Sequence, residues 1–307
     1  MSDARVEHGS GPMAMSVRRL GSALVLTQIA MAASAACLVF ACSRVLDRPV
    51  SPWWFGAAFL ASWCVYLRDS AASCDAEDAI SQPRRAAIFR GSRFWSWWLP
   101  GICAVGGAGC GLAADPRSST MGLLAVMAIL AGLHARRDGD ASVETPRGPG
   151  GLSVKRFAAV KSIVVSIAWS AAAIGLCLLE SPAPVTRPVV VASLWLGLLT
   201  PVLLADSLLL DLRDRAADRT FGLHTIAVRI GPRGVHASVG VLLAIAAATT
   251  LLGAADSVRP ELWRRTALAT TGGLALPWFG WQAIRRDEVA TALTVMAWRF
   301  LTALAVL

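Results

Sequence analysis

The sequence predicts an all-α, polytopic membrane protein with about nine crossings, and three observations carry that prediction. Apolar runs recur along the whole chain. Charge is scarce: 16% of residues are charged, 55% are hydrophobic and the mean hydropathy is +0.57, whereas a soluble domain carries roughly 25% charged residues. Nowhere does polarity alternate with a period of two, so the spanning elements are expected to be helices rather than barrel strands.

In order, the apolar segments are 20–42, 52–67, 94–113, 118–134, 157–179, 189–210, 235–254, 267–284 and 289–307. Each lies near the roughly 20 residues that cross a bilayer as helix. Residues 1–19 read as a cytoplasmic tail and 20–307 as a single transmembrane domain. The first run is longer than the apolar core of a secretory leader, so it is expected to stay as a signal anchor. Against that, "SAACLVFACS" carries the small residues of a cleavage region. "FWSWWLP" (94–100) reads as an interfacial aromatic belt. "GGAGCG" (106–111) reads as small-residue helix packing, because no strand–helix context makes it a phosphate loop.

Charge sets the orientation. With the N-terminus in the cytoplasm, the outside loops hold only Arg44, Arg48, Arg117, Arg187, Arg259, Arg264 and Arg265, and nearly all the rest of the 29 lysines and arginines fall inside. The net charge of +9 therefore reads as membrane topology, since the arginines form no single stripe for nucleic acid. The seven cysteines lie mostly in apolar runs and form no CxxC, which points to small buried hydrophobes rather than disulfides or zinc ligands.

Two acidic stretches follow apolar helices on the same predicted face. In "DLRDRAADR" (211–219), Asp211, Asp214 and Asp218 are spaced three and four apart, which puts them on one side of a helix. Such a triad is also compatible with a solvated helix end, its repulsion offset by Arg213, Arg215 and Arg219. Asp206 lies inside the apolar run, where a carboxylate faces a polar cavity or a partner. Hard oxygen ligands on one face suit Mg²⁺, which keeps waters and bridges to phosphate oxygens. The other stretch, first in chain order, "YLRDSAASCDAEDAISQPRRAAIFR" (66–90), carries Asp69, Asp75 and Asp78; Pro83 ends or kinks its helix and arginines follow. Two acidic clusters, each followed by arginines, favour one anionic ligand held through metal.

"DLRDRAADRTFGLHTIAVRIG" (211–231) resembles the second motif of the UbiA family of intramembrane prenyltransferases. Asp211, Asp214, Asp218, Arg219, Gly222, Thr225 and "AVRIG" all fit it. The family's first motif fits at Asp78, Pro83 and Arg85, with Cys74 where its middle aspartate belongs and Asp69 and Asp75 each one residue out of register. "SVKRFAAVKSIVVSIAW" (153–169) is similar to the family's basic entry into its fifth helix.

The resemblance implies a helical bundle around a central cavity in a bacterial inner membrane. It implies transfer of an isoprenyl group from an isoprenyl diphosphate to an aromatic or lipid acceptor. Mg²⁺ would sit on Asp69, Asp75, Asp78, Asp211, Asp214 and Asp218. Arg85, Lys155, Lys161 and Arg219 would bind the diphosphate, and Asp78, Asp211, Asp214 and Asp218 would be catalytic. Trp63, Tyr66, Trp169 and Trp195 are candidates to shield an allylic cation, although packing or interfacial anchoring is the commoner role of each. A non-catalytic relative binding lipid or a partner is the main rival, and an ion-coupled transporter using Asp206 is the other.

Overall fold

The computed structural model describes residues 22–74, 77–135, 158–181, 187–257, 259–284 and 287–307. The predicted tail, Asp75 and Lys155 lie outside the described residues. Among the described residues, all regular structure is helical. In chain order the helices are α1 (Ile29–Val45), α2 (Trp53–Ser73), α3 (Glu77–Ser81) and α4 (Pro83–Phe89). A π-wound turn, Phe94–Trp98, leads into α5 (Leu99–Ala113). Then come α6 (Ser118–Ala135), α7 (Ala158–Glu180), α8 (Pro188–Thr220), α9 (Ile226–Asp256), α10 (Pro260–Ile284) and α11 (Glu288–Ala305).

Each predicted apolar segment falls on one of the longer helices. Among the described residues, three stretches, Val160–Glu180, Pro188–Thr220 and Ile226–Ala255, are long and apolar enough by length and composition to cross a membrane. The outer faces are apolar as well: Ile102, Val105, Leu251, Leu276 and Phe279 are all well exposed. A soluble protein would hide so many large apolar side chains, whereas lipid solvates them. These features define an integral membrane protein.

Small residues let the helices approach. A Cβ on Gly107 would come within 3.3 Å of the Ala61 backbone nitrogen, so α5 lies directly against α2. The glycine run thus packs a helix, as its composition predicts. Trp97 and Trp98, in contrast, are 67% and 69% exposed, and the Arg68 guanidinium lies 4.3 Å from the Trp97 ring centroid. That is the arrangement expected of an aromatic and basic belt at an interface. All seven cysteines are thiols.

Two breaks position the acidic stretches. Pro83 stands in the first turn of α4 after Gln82 leaves helical geometry, so the chain folds back beneath the end of α2. After α8, Gly222 takes φ +65°, a conformation that glycine adopts without penalty. Thr225 then caps α9, its hydroxyl accepting from the Val228 amide at 3.3 Å.

Candidate functional site

A cavity of about 860 Å³ runs through the bundle, walled by α1, α2, α5, α6, α7, α8 and α11. Its depth is mostly apolar, lined by residues such as Leu38, Leu124, Met127 and Ala172. Its charged mouth gathers Asp69 and Asp78 from the first acidic stretch, Asp211 and Asp214 from the second, and Arg85, Lys161 and Arg213. Along α2, Asp69 lies fifteen residues from Trp54, which lines the far end. At 1.5 Å per residue that is about 22 Å of helix, most of the thickness of a bilayer's hydrocarbon core.

The mouth is built by side-chain hydrogen bonds. Asp78 is buried, and its carboxylate takes two bonds from Arg85: Nη2 to Oδ1 at 2.6 Å and Nε to Oδ2 at 3.2 Å. Ser73, one turn beyond Asp69 on α2, donates to Asp78 Oδ2 at 2.7 Å and ties α3 to α2. On α8, Arg213 grips Asp214 in the same forked way, with both bonds at 2.8 Å. Asp211 accepts from the Ser162 hydroxyl of α7. Gln82 Nε2 reaches Asp214 Oδ1 at 3.5 Å, a bond between residues 132 apart in sequence that joins the two stretches.

The predicted set divides. Asp69, Asp78, Arg85, Lys161, Asp211 and Asp214 share the cavity wall. Asp218 and Arg219 do not. Asp218 is 3% exposed, and its Oδ2 accepts from the Thr225 hydroxyl at 2.9 Å, so it locks the turn between α8 and α9. Arg219 is exposed; at about 100° per residue it sits about 140° around the helix from Asp214. Sequence reasoning gave Arg213 only a charge-balancing part and passed over Gln82, Ser73 and Ser162. Arg213 was within reach, since it abuts Asp214 in the motif. The others owe their places to contacts between helices.

Of the aromatic candidates, Tyr66 and Trp169 line the cavity and stack with centroids 6.0 Å apart and planes 3° from parallel. Trp63 and Trp195 lie elsewhere, donating to the Thr27 carbonyl at 2.8 Å and to Ser170 Oγ at 3.1 Å.

Among the described residues, no three His, Cys, Asp or Glu side chains group closely enough to cage a metal. Mg²⁺ does not require such a cage: it keeps several waters and takes one or two carboxylates together with phosphate oxygens. Four carboxylates at one cavity mouth, with hydroxyls beside them, are the hard oxygen donors that suit it.

Fold and site together define a helical membrane protein whose apolar cavity opens at a mouth of paired carboxylates and cations. Among solved structures, the chain is similar to a digeranylgeranylglyceryl phosphate synthase in membranes, with a TM-score of 0.53 at 11% identity over 94% of this chain and 97% of that one. The likeness covers the whole bundle and is one of fold. No protein-family model matches the chain, and no curated protein matches it.

Proposed function

We propose that the protein transfers an isoprenyl group from an isoprenyl diphosphate to a hydrophobic acceptor within the membrane, with Mg²⁺. One observation carries this reading: two acidic and basic stretches, far apart in sequence, meet at the mouth of a cavity whose depth is mostly apolar. An amphiphile with a polyanionic head and a hydrocarbon tail matches both ends. The similarity of fold to a prenyl-lipid synthase supports the same class. The accompanying topology is nine crossings with the N-terminus and the mouth on the cytoplasmic side of a bacterial inner membrane.

Arg85, Arg213 and Lys161 supply the cations for diphosphate oxygens. Without substrate, Arg85 and Arg213 are held by Asp78 and Asp214; a diphosphate offers each guanidinium a more highly charged partner in the same forked geometry. Asp211 and Asp214, with Asp69 and Asp78 opposite, would hold Mg²⁺, which neutralises leaving-group charge when bound. Asp75 and Lys155 remain candidates on sequence grounds. Asp218 and Arg219 are reassigned, the first to the turn and the second to the surface. Below the mouth, the apolar wall excludes water from the allylic carbon, and the Trp169 ring faces stabilise developing positive charge.

The test is pyrophosphate release by purified protein given a panel of isoprenyl diphosphates, with and without Mg²⁺. Release that needs the ion and is lost in Asp214→Asn supports the reading. Wild-type silence across the panel, together with no diphosphate binding, overturns it. Diphosphate binding without turnover selects the non-catalytic alternative, which the buried thiol of Cys74 at a motif carboxylate position favours.

A further inference from the structure

A second polar cluster lies deeper in the same cavity. Asp206 precedes Asp211 by five residues and Asp214 by eight on α8, so it sits about 7.5 and about 12 Å farther along the axis. It pairs with Arg299 of α11. Arg299 Nη1 also donates to Ser34 Oγ at 2.9 Å, and Trp298 Nε1 donates to Asp206 Oδ2 at 3.4 Å. Tyr66 interacts with Arg299 from α2, three residues and about 4.5 Å below Asp69. Tyr66, Asp206 and Arg299 all line the cavity.

The cluster is over-built for fastening helices. Apolar side chains of similar volume hold helices together at least as well as a buried ion pair. Asp206, moreover, is 1% exposed, yet among the described residues neither its Oδ1 nor Arg299 Nε has a hydrogen-bond partner. Each unmet group is costly in an apolar interior. Both atoms are closed off from the cavity at rest, so a ligand meets them only as the pair shifts to admit it; an unmet acceptor and an unmet donor on the two halves of one ion pair match a hydroxyl, which both donates and accepts. The pair carries no net charge, so a carboxylate or phosphate placed there gains no attraction to offset its desolvation. The half-buried Tyr66, stacked on Trp169, adds a flat apolar face beside it, and its hydroxyl, which interacts with Arg299, adds a neutral donor and acceptor to the same cluster.

We propose that Tyr66, Asp206 and Arg299 form a second, charge-neutral subsite that binds an uncharged, hydroxyl-bearing acceptor beneath the diphosphate mouth. This rests on the prenyl-transfer reading for its role but not for its binding chemistry. Ionisable residues within a membrane segment mark a functional site by default, and here the open valences state which group fits.

The test uses the full chain in lipid nanodiscs and equilibrium binding of four probes. Hydroquinone and 1-monooleoylglycerol are uncharged aromatic and aliphatic hydroxyl ligands; 2,5-dihydroxybenzoate adds a carboxylate; geranylgeranyl diphosphate reports the mouth. Saturable binding of either neutral probe, tighter than the benzoate and weakened about tenfold in Tyr66→Phe, is the expected result. Which neutral probe wins separates an aromatic from an aliphatic acceptor. Asp206→Asn should weaken the same probe, and Tyr66→Phe keeps the proposal testable if that variant fails to fold. If the diphosphate binds and neither neutral probe does, the subsite is wrong while the prenyl-transfer reading survives. Tighter binding of the benzoate, or no effect of Tyr66→Phe, also overturns it. Neutral probes that bind in a Tyr66-dependent way while the diphosphate does not would sink the prenyl-transfer reading and leave the subsite standing.

Discussion

The two acidic stretches reach the same cavity mouth by opposite routes. Residues 211–218 ride on one unbroken helix, so the helical period puts Asp211 and Asp214 on one face before Ser162, Arg213 and Gln82 bind them. Residues 69–78 cross a break between α2 and α3, and Asp78 is set by two side chains, Ser73 and Arg85. A carboxylate placed by backbone period costs nothing further to hold. One placed by partners depends on them. The second stretch should therefore tolerate loss of its partners better than the first.

The largest effect falls on the chemistry shared by both. Asp214→Asn removes the carboxylate that Gln82 links to the first stretch. It should lower the rate of pyrophosphate release by about 10²–10³-fold, the scale for one electrostatic stabiliser of developing charge. Steady-state assays with the same isoprenyl diphosphate check it. Retention of more than a tenth of the wild-type rate would move Asp214 out of the site.

Next comes Arg85→Met. The Asp78 carboxylate is buried, so removing its forked partner leaves an uncompensated charge worth about 3 kcal/mol of stability. Arg213→Met should cost clearly less, because Asp214 keeps Gln82 and a more open flank. Thermal unfolding in detergent, with the double variant Asp78→Asn/Arg85→Met recovering most of the loss, distinguishes a buried-charge penalty from lost packing. Equal costs for the two arginine variants would erase the contrast between the stretches.

That contrast also fixes what was legible in the sequence. The helices were readable because apolar runs of bilayer length leave the backbone no other way to satisfy its hydrogen bonds. The Asp211/Asp214 face followed from the helical period, and the central cavity from the family resemblance. The Asp78–Arg85 fork was not readable, since it depends on how the chain turns at Gln82 and Pro83. Nor was the pairing of Asp206 with Arg299, residues 93 apart whose meeting is set by helix packing. Asp218, Gly222 and Thr225 fit the motif by sequence, and we assign them to the turn that lets α9 pack back on α8.

Thr225→Val tests that assignment. It removes both the cap on α9 and the hydrogen bond to Asp218, at a cost of about 1–2 kcal/mol in stability. The affinity for isoprenyl diphosphate, measured below the unfolding transition, should change less than the melting temperature implies. A large loss of affinity with unaltered stability would return Asp218 to the site.

The smallest effect should come from Arg219→Gln. By motif, this arginine belongs with the diphosphate; by position, it lies on the exposed face at the end of α8, away from the cavity wall. An exposed charge there contributes at most about 0.5 kcal/mol through the helix terminus and long-range attraction, and salt screens it. Pyrophosphate release should stay within about twofold of wild type, and any shortfall should shrink as ionic strength rises. A salt-insensitive loss of tenfold or more would mean that α8 turns, or its end unwinds, when the diphosphate arrives. The pre-set carboxylates of the second stretch would then be the moving ones, and the fork at Asp78 would be the fixed point around which the mouth closes.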